Sequence, residues 1–211
     1  MVLVKRLKAS VMKKSRAEKL EYFYSMCSTD ANVLDVGVTN NEHNEQVNLF
    51  LNTFRFDSNQ YTGLAIEPLK KIRKKHPDKK FVEYPGGKFP FEDKSFDWAF
   101  SNAVIEHVGN EQEQVNFINE MLRVSKNVFF TTPNKYFPVE AHTNTIFRHW
   151  FSKSFYEWCK RNKLSWNERN LVLLSYRDLY KLMKKSKAIQ FRIKKNKLLL
   201  LPMTFTIICA G

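Results

Sequence analysis

The sequence predicts an α/β protein with an open, doubly wound, mostly parallel sheet of about seven strands and helices on both faces. Short apolar runs recur along the chain, segments with helical periodicity separate them, and a glycine ends the first run. The first run contains Val33, Leu34 and Val36, as expected of a strand that is buried on both faces. Strand, glycine turn and helix in this order form the first half of a nucleotide-binding βαβ unit.

Length and composition set the limits of this prediction. A chain of 211 residues with 43% hydrophobic residues can bury a substantial core and is not a disordered protein. The formal net charge of +14 predicts attraction to polyanions such as phosphorylated substrates, nucleic acid or anionic lipid headgroups. A simple contribution to solubility is the alternative explanation of this charge.

Cysteine usage and hydropathy predict the compartment. Cys27, Cys159 and Cys209 are odd in number and have no Cys-x-x-Cys spacing, so we expect no disulfide and no metal site. The chain opens without a signal-like pattern, and its longest uncharged run, 198–211, is too short for a membrane span. These features predict a cytoplasmic protein.

The elements follow in order. Residues 1–28 predict a basic amphipathic helix that packs on the core, with its lysines and arginines either solvated or in contact with an anionic substrate or membrane. Residues 29–211 are expected to form one domain. After the first strand, apolar residues at helical spacing predict a helix over 47–54. A second strand at 61–67, a short basic helix and a third strand at 81–84 come next, and Pro85, Gly86 and Gly87 mark a turn.

The second half continues the alternation. Asn110 and Ser175 are each followed three residues later by an acidic residue, which predicts two capped helix starts. Residues 143–170 are rich in aromatics and predict further helices. Strands are expected at 95–101, 127–131, 188–194 and 203–209.

Three stretches together resemble one family. They are Val-Leu-Asp-Val-Gly at 33–37, Phe-Pro-Phe-Glu-Asp-Lys-Ser-Phe-Asp-Trp-Ala-Phe-Ser-Asn-Ala-Val-Ile-Glu-His-Val at 89–108, and Thr-Thr-Pro-Asn-Lys-Tyr-Phe-Pro-Val-Glu-Ala-His at 131–142. They resemble class I S-adenosylmethionine-dependent methyltransferases, closest to the type 11 branch. The third stretch is similar to the segment after strand five in one subgroup of this family. Members of that subgroup are often encoded among genes for the modification of cell-surface polysaccharides and lipids.

The resemblance implies a Rossmann-like sheet with strand order 3-2-1-4-5-7-6 and an antiparallel seventh strand. It also implies S-adenosylmethionine as the cofactor, at the carboxyl ends of strands one to four. The expected activity is O-methylation of a small molecule or of a lipid- or nucleotide-linked sugar.

A physical argument favours a methyl donor over a dinucleotide. Dinucleotide folds use Gly-x-Gly-x-x-Gly to bring the backbone close to a pyrophosphate, with an acid about twenty residues later. This chain keeps only Gly37, and Glu67 follows thirty residues later. S-adenosylmethionine carries no phosphate, so one glycine and hydroxyl-binding carboxylates suffice.

The predicted cofactor residues lie at the ends of the first four strands. Asp35 is expected to accept hydrogen bonds from the glycine-turn amides and to approach the donor's amino group, with support of the turn as the alternative. Glu67 is a candidate for the ribose, because the family's usual acid would align with Ala65. The family's acid that contacts adenine would align with Pro85. Adenine recognition is therefore expected from the backbone of Gly86 or Gly87. The full predicted set is Asp35, Gly37, Thr39, Glu67, Gly86, Gly87, Ser101 and Asn102.

The predicted catalytic residues are His107, His142 and Glu140. Each histidine comes just after a predicted strand, and histidine titrates near neutral pH, which suits a general base for a hydroxyl acceptor. Glu140 is expected to orient His142. The alternatives are a polar residue that closes the cofactor loop for His107 and a purely structural hydrogen bond for Glu140 and His142.

Two other functions remain open from the sequence. Thr39, Asn41, Ala65 and Pro85 depart from the family pattern and permit a binding module or partner subunit with weak catalysis. The net charge permits an RNA-modifying enzyme, although the basic run 181–197 has no nucleic-acid-binding motif. Contact of this run with an anionic substrate or membrane surface is the preferred interpretation, and the oligomeric state stays open.

Overall fold

A seven-stranded mixed sheet forms the centre of this computed structural model, which describes residues 2–41 and 47–211, with side chains from residue 11 onward. The strands are β1 (Val33–Val36), β2 (Tyr61–Ala65), β3 (Lys80–Glu83), β4 (Phe96–Asn102), β5 (Ser125–Pro133), β6 (Gln190–Leu198) and β7 (Leu201–Ala210). Their order is β3-β2-β1-β4-β5-β7-β6, and β7 runs antiparallel to both β5 and β6. The first five strands are parallel. The predicted order and the antiparallel seventh strand are confirmed.

The helices are α1 (Val2–Tyr24), α2 (Leu49–Asn52), α3 (Lys70–Lys75), α4 (Glu111–Val124), α5 (Ser152–Arg161) and α6 (Tyr176–Lys185). Both predicted helix caps are confirmed. The Asn110 side chain accepts hydrogen bonds from the amides of Gln112 and Glu113, and Ser175 forms the reciprocal pair with Asp178. None of the described helices is long and apolar enough to cross a membrane.

Two predicted helical segments are shorter in the structure. The helix expected over 47–54 is the single turn α2, because Asn48 takes a left-handed φ of 53° immediately before it; residues 42–46 lie outside the described residues. In the segment 143–170, Phe147 has a φ of 58°, and the Asn170 side chain bonds the Ser165 carbonyl. Such local hydrogen bonds compete with a helix, so only α5 and a 3₁₀ turn at Arg148–Trp150 form.

One face of the sheet is covered by α1, α2 and α3. Phe23 of α1 is fully buried there and contacts five aromatic rings edge-on, at centroid distances of 5.1–5.5 Å. These rings are Tyr24, Phe50, Trp98, Phe100 and Phe129. Burying large aromatic side chains in this way contributes strongly to stability, so Phe23 fixes α1 across β4 and β5.

The opposite face is covered by α4 and α6. Alternate strand residues point to opposite faces, so Leu34 and Val36 pack here whereas Val33 packs under α1. From α4 and α6 the buried side chains include Val115, Ile118, Met121, Leu122, Leu179, Leu182 and Met183. Helices therefore cover both faces, and the carboxyl ends of the parallel strands meet at one edge of the sheet.

Candidate functional site

The turn after β1 is built around Gly37, whose φ of +99° lies in the left-handed region that favours glycine. The amides of Gly37 and Val38 donate hydrogen bonds to the Leu64 carbonyl, at 2.9 Å and 3.2 Å. A Cβ at Gly37 would overlap the side chain of Val104. The close contact that requires glycine is therefore made within the protein, whereas the sequence analysis assigned it to a bound ligand.

Asp35 lies under this turn and is 7% exposed. Its Oδ2 accepts a hydrogen bond of 2.6 Å from the Tyr61 hydroxyl. The expected bonds from the turn amides are absent, because Gly37 and Val38 both donate to Leu64. Burial raises the pKa of Asp35 to about 7, against the opposing effect of the Tyr61 hydrogen bond. A cation beside Asp35 would favour its ionised form.

Glu67 and Thr39 lie together beyond the ends of β2 and β1. Glu67 is exposed and accepts hydrogen bonds from the Thr39 hydroxyl and from the Asn40 amide, the latter at 2.8 Å. The Asn40 side chain in turn accepts from the amides of Lys71 and Ile72 in α3. These bonds hold the segment after the glycine turn against the start of α3.

The remaining predicted cofactor residues differ in how they are held. Gly86 and Gly87 follow β3 with φ values of +96° and +76°, and a Cβ at either would meet no described atom within 4 Å. The Ser101 hydroxyl is buried and donates to the Val36 carbonyl at 3.1 Å, so it joins β4 to β1. Asn102 Oδ1 accepts a 2.7 Å hydrogen bond from the Thr131 hydroxyl.

Two cavities meet at this edge of the sheet. A small one, of about 60 Å³, lies against Asp35 and Gly37. A larger one, of about 680 Å³, lies beside β5. Arg16, Lys19 and Asn102 line both, so these side chains form the boundary between them. The larger cavity is mainly apolar, with walls that include Val11, Met12, Phe137, Ile146, Leu173 and Met203.

The cations at this boundary were not identified from the sequence. Lys19 is only 7% exposed, and burial lowers its pKa to about 8; the charge of Arg16 lowers it further, while that of Glu106 raises it. A buried cation is costly unless a negative group compensates for it. Arg16 and Lys19 lie three residues apart among many basic residues of α1, so no sequence signal distinguished them.

The predicted catalytic residues come together in the structure. The rings of His107 and His142 lie 5.0 Å apart and nearly perpendicular. His142 Nδ1 and Glu140 Oε1 are joined by a hydrogen bond of 2.7 Å. His107 Nδ1 donates to the Asn170 carbonyl at 2.8 Å. The loops after β4 and β5 thus bring these three side chains to one place.

Two buried carboxylates accompany the histidines. Burial raises the pKa of Glu140, but hydrogen bonds from His142 and Thr143 outweigh that effect and lower it to about 2. Glu106 is fully buried, and burial raises its pKa. One oxygen of Glu106 accepts from the Thr132 hydroxyl at 3.0 Å, and the other has no partner among the described residues. The Glu-His pair at 106–107 was visible in the sequence, but only the histidine was selected.

His149 is a further residue that the sequence analysis missed. It is buried, lines the large cavity, and donates through Nε2 to the Phe137 carbonyl at 2.8 Å. Its Nδ1 is buried without a hydrogen-bond partner among the described residues, and burial lowers its pKa. His149 therefore places a ring nitrogen without a hydrogen-bond partner among the described residues in the cavity wall.

The part of the chain that contains the glycine turn is similar to a known protein family. Residues 34–128, less than half of the chain, match a family model described as a methyltransferase domain. Two uncharacterized proteins from Mycobacterium tuberculosis strains are 40% identical to the chain over 52 residues. That alignment spans 25% of this chain and only 18% of the relatives' length.

Solved structures share the fold at low sequence identity. A methyltransferase from Methanosarcina mazei superposes with a TM-score of 0.62 at 14% identity, covering 90% of this chain and 96% of that chain. One from Aquifex aeolicus gives 0.56 at 12% identity, over 91% and 87%. A Haemonchus contortus phosphoethanolamine N-methyltransferase, solved with S-adenosylmethionine, gives 0.55 at 16% identity, over 85% and 38%. The chain therefore has the fold of S-adenosylmethionine-dependent methyltransferases, and residues 34–128 match the methyltransferase-domain family model.

Proposed function

We propose that the chain is an S-adenosylmethionine-dependent methyltransferase that methylates a hydroxyl group of an acceptor with a large apolar part, such as a lipid-linked sugar. The observation that carries the proposal is the common boundary of the two cavities. The small cavity adjoins the glycine turn, and the large apolar cavity is lined by His149 and by Glu140, the hydrogen-bond partner of His142. A donor on one side of Asn102 and an acceptor on the other would bring methyl group and hydroxyl together.

The charges around the small cavity suit the donor. S-adenosylmethionine supplies an electrophilic methyl group, and its amino-acid part carries one ammonium and one carboxylate. Asp35 is a partner for the ammonium, and Arg16 and Lys19 are partners for the carboxylate. Glu67 is exposed beyond β2, where it suits ribose hydroxyls. These assignments extend the residue set predicted from the sequence by the two cations of α1.

The size of the small cavity requires a movement on binding. Ligand pockets usually measure about 300–1,000 Å³, whereas this one measures about 60 Å³. Arg16 and Lys19 extend from α1 into the boundary between the cavities, so a shift of their side chains would enlarge the smaller one. We infer that the donor displaces these side chains toward its own carboxylate.

The acceptor assignment rests on the large cavity. Its predominantly apolar wall would bury a hydrocarbon segment favourably. A free nucleotide sugar would instead bury polar groups against this wall without hydrogen-bond partners, which is costly. His107 and His142 are candidates for accepting the hydroxyl proton, and His149 is a third because its free Nδ1 lies in the cavity wall.

The turn between β6 and β7 supports contact with a membrane that carries such an acceptor. Leu199 and Leu200 at its tip are 91% and 86% exposed. Leu198, beside them, lines the large cavity, and Lys195 and Lys197 are exposed on the same strand. Exposed leucines next to lysines are typical of peripheral binding to anionic lipid surfaces.

Binding of the donor is the first test. Calorimetry should detect binding of S-adenosylmethionine and of its demethylated product to the full chain, and Asp35→Ala should weaken it at least tenfold. Absence of binding at millimolar donor would favour the alternative of a binding module without catalysis, which the narrow cavity also fits.

Methyl incorporation is the second test. Labelled donor should be supplied with lipid-linked sugars, with nucleotide sugars of the same headgroup, and with RNA. Transfer to the lipid-linked acceptor is the expected result. Transfer to the nucleotide sugar alone would contradict the apolar part of the proposal, and transfer to RNA would establish the RNA-modifying alternative.

A further inference from the structure

Two histidines and a carboxylate converge between the loops that follow β4 and β5. Glu106, His107 and His142 each offer a ligand atom, and these atoms all lie within 4.8 Å of one another. We propose that this cluster binds one divalent transition-metal ion, such as Zn²⁺, Co²⁺ or Fe²⁺, and leaves coordination positions open. No metal site was predicted from the sequence, because the prediction rested on cysteine spacing and not on a histidine–carboxylate set.

The state of Glu106 is the first support for this site. Glu106 is fully buried, and its Oε1 has no hydrogen-bond partner among the described residues. Its other oxygen accepts from Thr132. A buried carboxylate oxygen without a partner is costly, and buried charges are normally paired or coordinate a metal. A metal ion would satisfy this oxygen.

The hydrogen bonds of the two histidines are the second support. His107 Nδ1 donates to the Asn170 carbonyl at 2.8 Å, and His142 Nδ1 bonds Glu140 Oε1 at 2.7 Å. Metal-binding histidines almost always donate their second ring N–H to a carbonyl or a carboxylate, which fixes the ring and raises its basicity. Both rings would bind the metal through Nε2.

Glu140 is itself held in place. Its Oε2 accepts from the amides of His142 and Thr143, at 2.9 Å and 2.6 Å, and from the Thr143 hydroxyl at 2.8 Å. This carboxylate is therefore a fixed acceptor that orients the His142 ring. Together with Glu106 it supplies two negative groups to offset a divalent ion, although the buried Lys19 also interacts electrostatically with Glu106.

The ligand set indicates the class of metal. Bonds of about 2.0–2.1 Å at tetrahedral angles place ligand atoms roughly 3.3 Å apart. The observed spread of up to 4.8 Å means that binding would draw the side chains together. Two imidazoles and one carboxylate are typical of zinc and non-haem iron sites, whereas magnesium and calcium prefer oxygen ligands alone.

The site borders the acceptor cavity. Thr132 and Glu140, which bond Glu106 and His142, both line the large cavity. A metal there would be placed to orient an acceptor hydroxyl and to lower its pKa. That role rests on the proposed methyltransferase function, whereas metal binding itself does not.

The test is a titration of the full chain, stripped of metal by dialysis against a chelator, with Co²⁺. Binding of one equivalent should be seen by calorimetry and as visible absorption bands of a low-coordinate cobalt site. Glu106→Gln and His107→Ala should each weaken binding by at least tenfold. His76→Ala is the matched control, because it removes a histidine at the end of α3, outside the cluster, and should retain full affinity.

Trp166 offers a second readout. Its ring lies 5.6 Å from that of His107 and 5.1 Å from that of His142. Cobalt should quench tryptophan fluorescence, and Trp166→Phe should remove most of this quenching while the cobalt absorption persists.

Failure to bind Co²⁺ and Zn²⁺ in the folded wild-type chain would overturn the proposal. Equal affinity in Glu106→Gln, His107→Ala and the control would also overturn it. Donor binding, measured separately by calorimetry on the same samples, tests the proposed function. A chain that binds the donor but no metal would therefore refute the metal site alone.

Discussion

The carboxyl ends of the parallel strands meet at one edge of the sheet, and the two ends of this edge differ in how their polar groups are bonded and in the size of their cavities. One end lies after β1, β2 and β3, where we propose that the donor binds, and is called the donor end. Its polar groups are bonded to one another: Thr39 to Glu67, and the Gly37 amide to Leu64. The cavity there is small, about 60 Å³. At the histidine end, after β4 and β5, buried atoms of Glu106 and His149 have no partner among the described residues, and the cavity beside them measures about 680 Å³.

The difference suggests that the donor end is held rigid by its own hydrogen bonds, whereas the histidine end keeps reactive groups available. The donor end contains the most recognisable sequence motif, and its own hydrogen bonds and close contacts define its shape. The histidine end contains unsatisfied polar atoms, which cost folding free energy and so indicate groups held ready for a ligand. If the two ends differ in this way, substitutions at them should have different effects on stability, donor binding and turnover.

The largest effect is expected for Gly37→Val. Valine would occupy a φ of +99° and overlap Val104, so we expect a destabilisation of about 3–6 kcal/mol and loss of donor binding. Gly86→Ala is the control: its Cβ meets open space at a φ of +96°, so only strain of about 1–2 kcal/mol is expected. Chemical denaturation and calorimetry measure both, and similar losses in the two variants would contradict the role of Val104.

His107→Ala and His142→Ala should affect catalysis and not the donor end. Loss of a positioned base or of a metal ligand should lower turnover by about 10²- to 10⁴-fold, with donor affinity nearly unchanged. Steady-state kinetics with a saturating acceptor, combined with donor calorimetry, would check this split. Normal turnover in both variants would remove histidine from the mechanism.

Asp35→Asn should change how stability depends on pH. Burial raises the pKa of Asp35 from its ordinary value of 3.8 to about 7 in the folded protein, so the folded state retains the proton between these values. Its stabilising contribution is full below about pH 3.8 and is lost as the pH rises through 7. Between pH 5 and 7 the wild type should lose about 1.4 kcal/mol per pH unit relative to the variant.

The measurement is urea denaturation of both proteins at several pH values in this range. The comparison uses the slope and not the absolute stability, because asparagine in the buried site has a cost of its own. Parallel curves would show that Asp35 is ionised in the folded protein.

The smallest effect is expected at the β6–β7 turn. Leu199→Gln with Leu200→Gln should leave stability within about 0.5 kcal/mol, since both side chains are almost fully exposed. Binding to anionic vesicles should weaken about tenfold or more as their apolar surface is lost. Vesicle sedimentation measures this binding. Unchanged binding would show that the β6–β7 turn, which lies beside the large cavity, does not contact the membrane.

Strands were predicted from the sequence more accurately than helices. Strands β1 and β4 were predicted within two residues, because short apolar runs buried on both faces are distinctive. The helix expected over 47–54 shrank to one turn, because the left-handed conformation of Asn48 is not encoded by periodicity. The capping residues Asn110 and Ser175 were predicted correctly, because capping depends on chemistry within four residues.

The residues of the candidate site also fall into two groups, those that local sequence patterns predict and those that only packing reveals. The sequence predicted His107, His142 and Glu140 as catalytic candidates, and the structure brings these side chains together because residues after parallel strands gather at one edge. Glu106, His149, Arg16 and Lys19 were missed, since burial and a missing partner are properties of packing. The assignment of Asp35 to the turn amides was wrong, because the Leu64 carbonyl from the neighbouring strand accepts those bonds instead.

Local periodicity and the polarity of parallel strands were enough to predict seven strands that alternate with helices, the glycine turn after the first strand, and the histidines beyond the fourth and fifth strands. Two features are visible only in the folded chain: α1 places Lys19 between the two cavities, and Glu106 meets two histidines. Those contacts join segments far apart in the chain, and their energies depend on burial that no local pattern specifies.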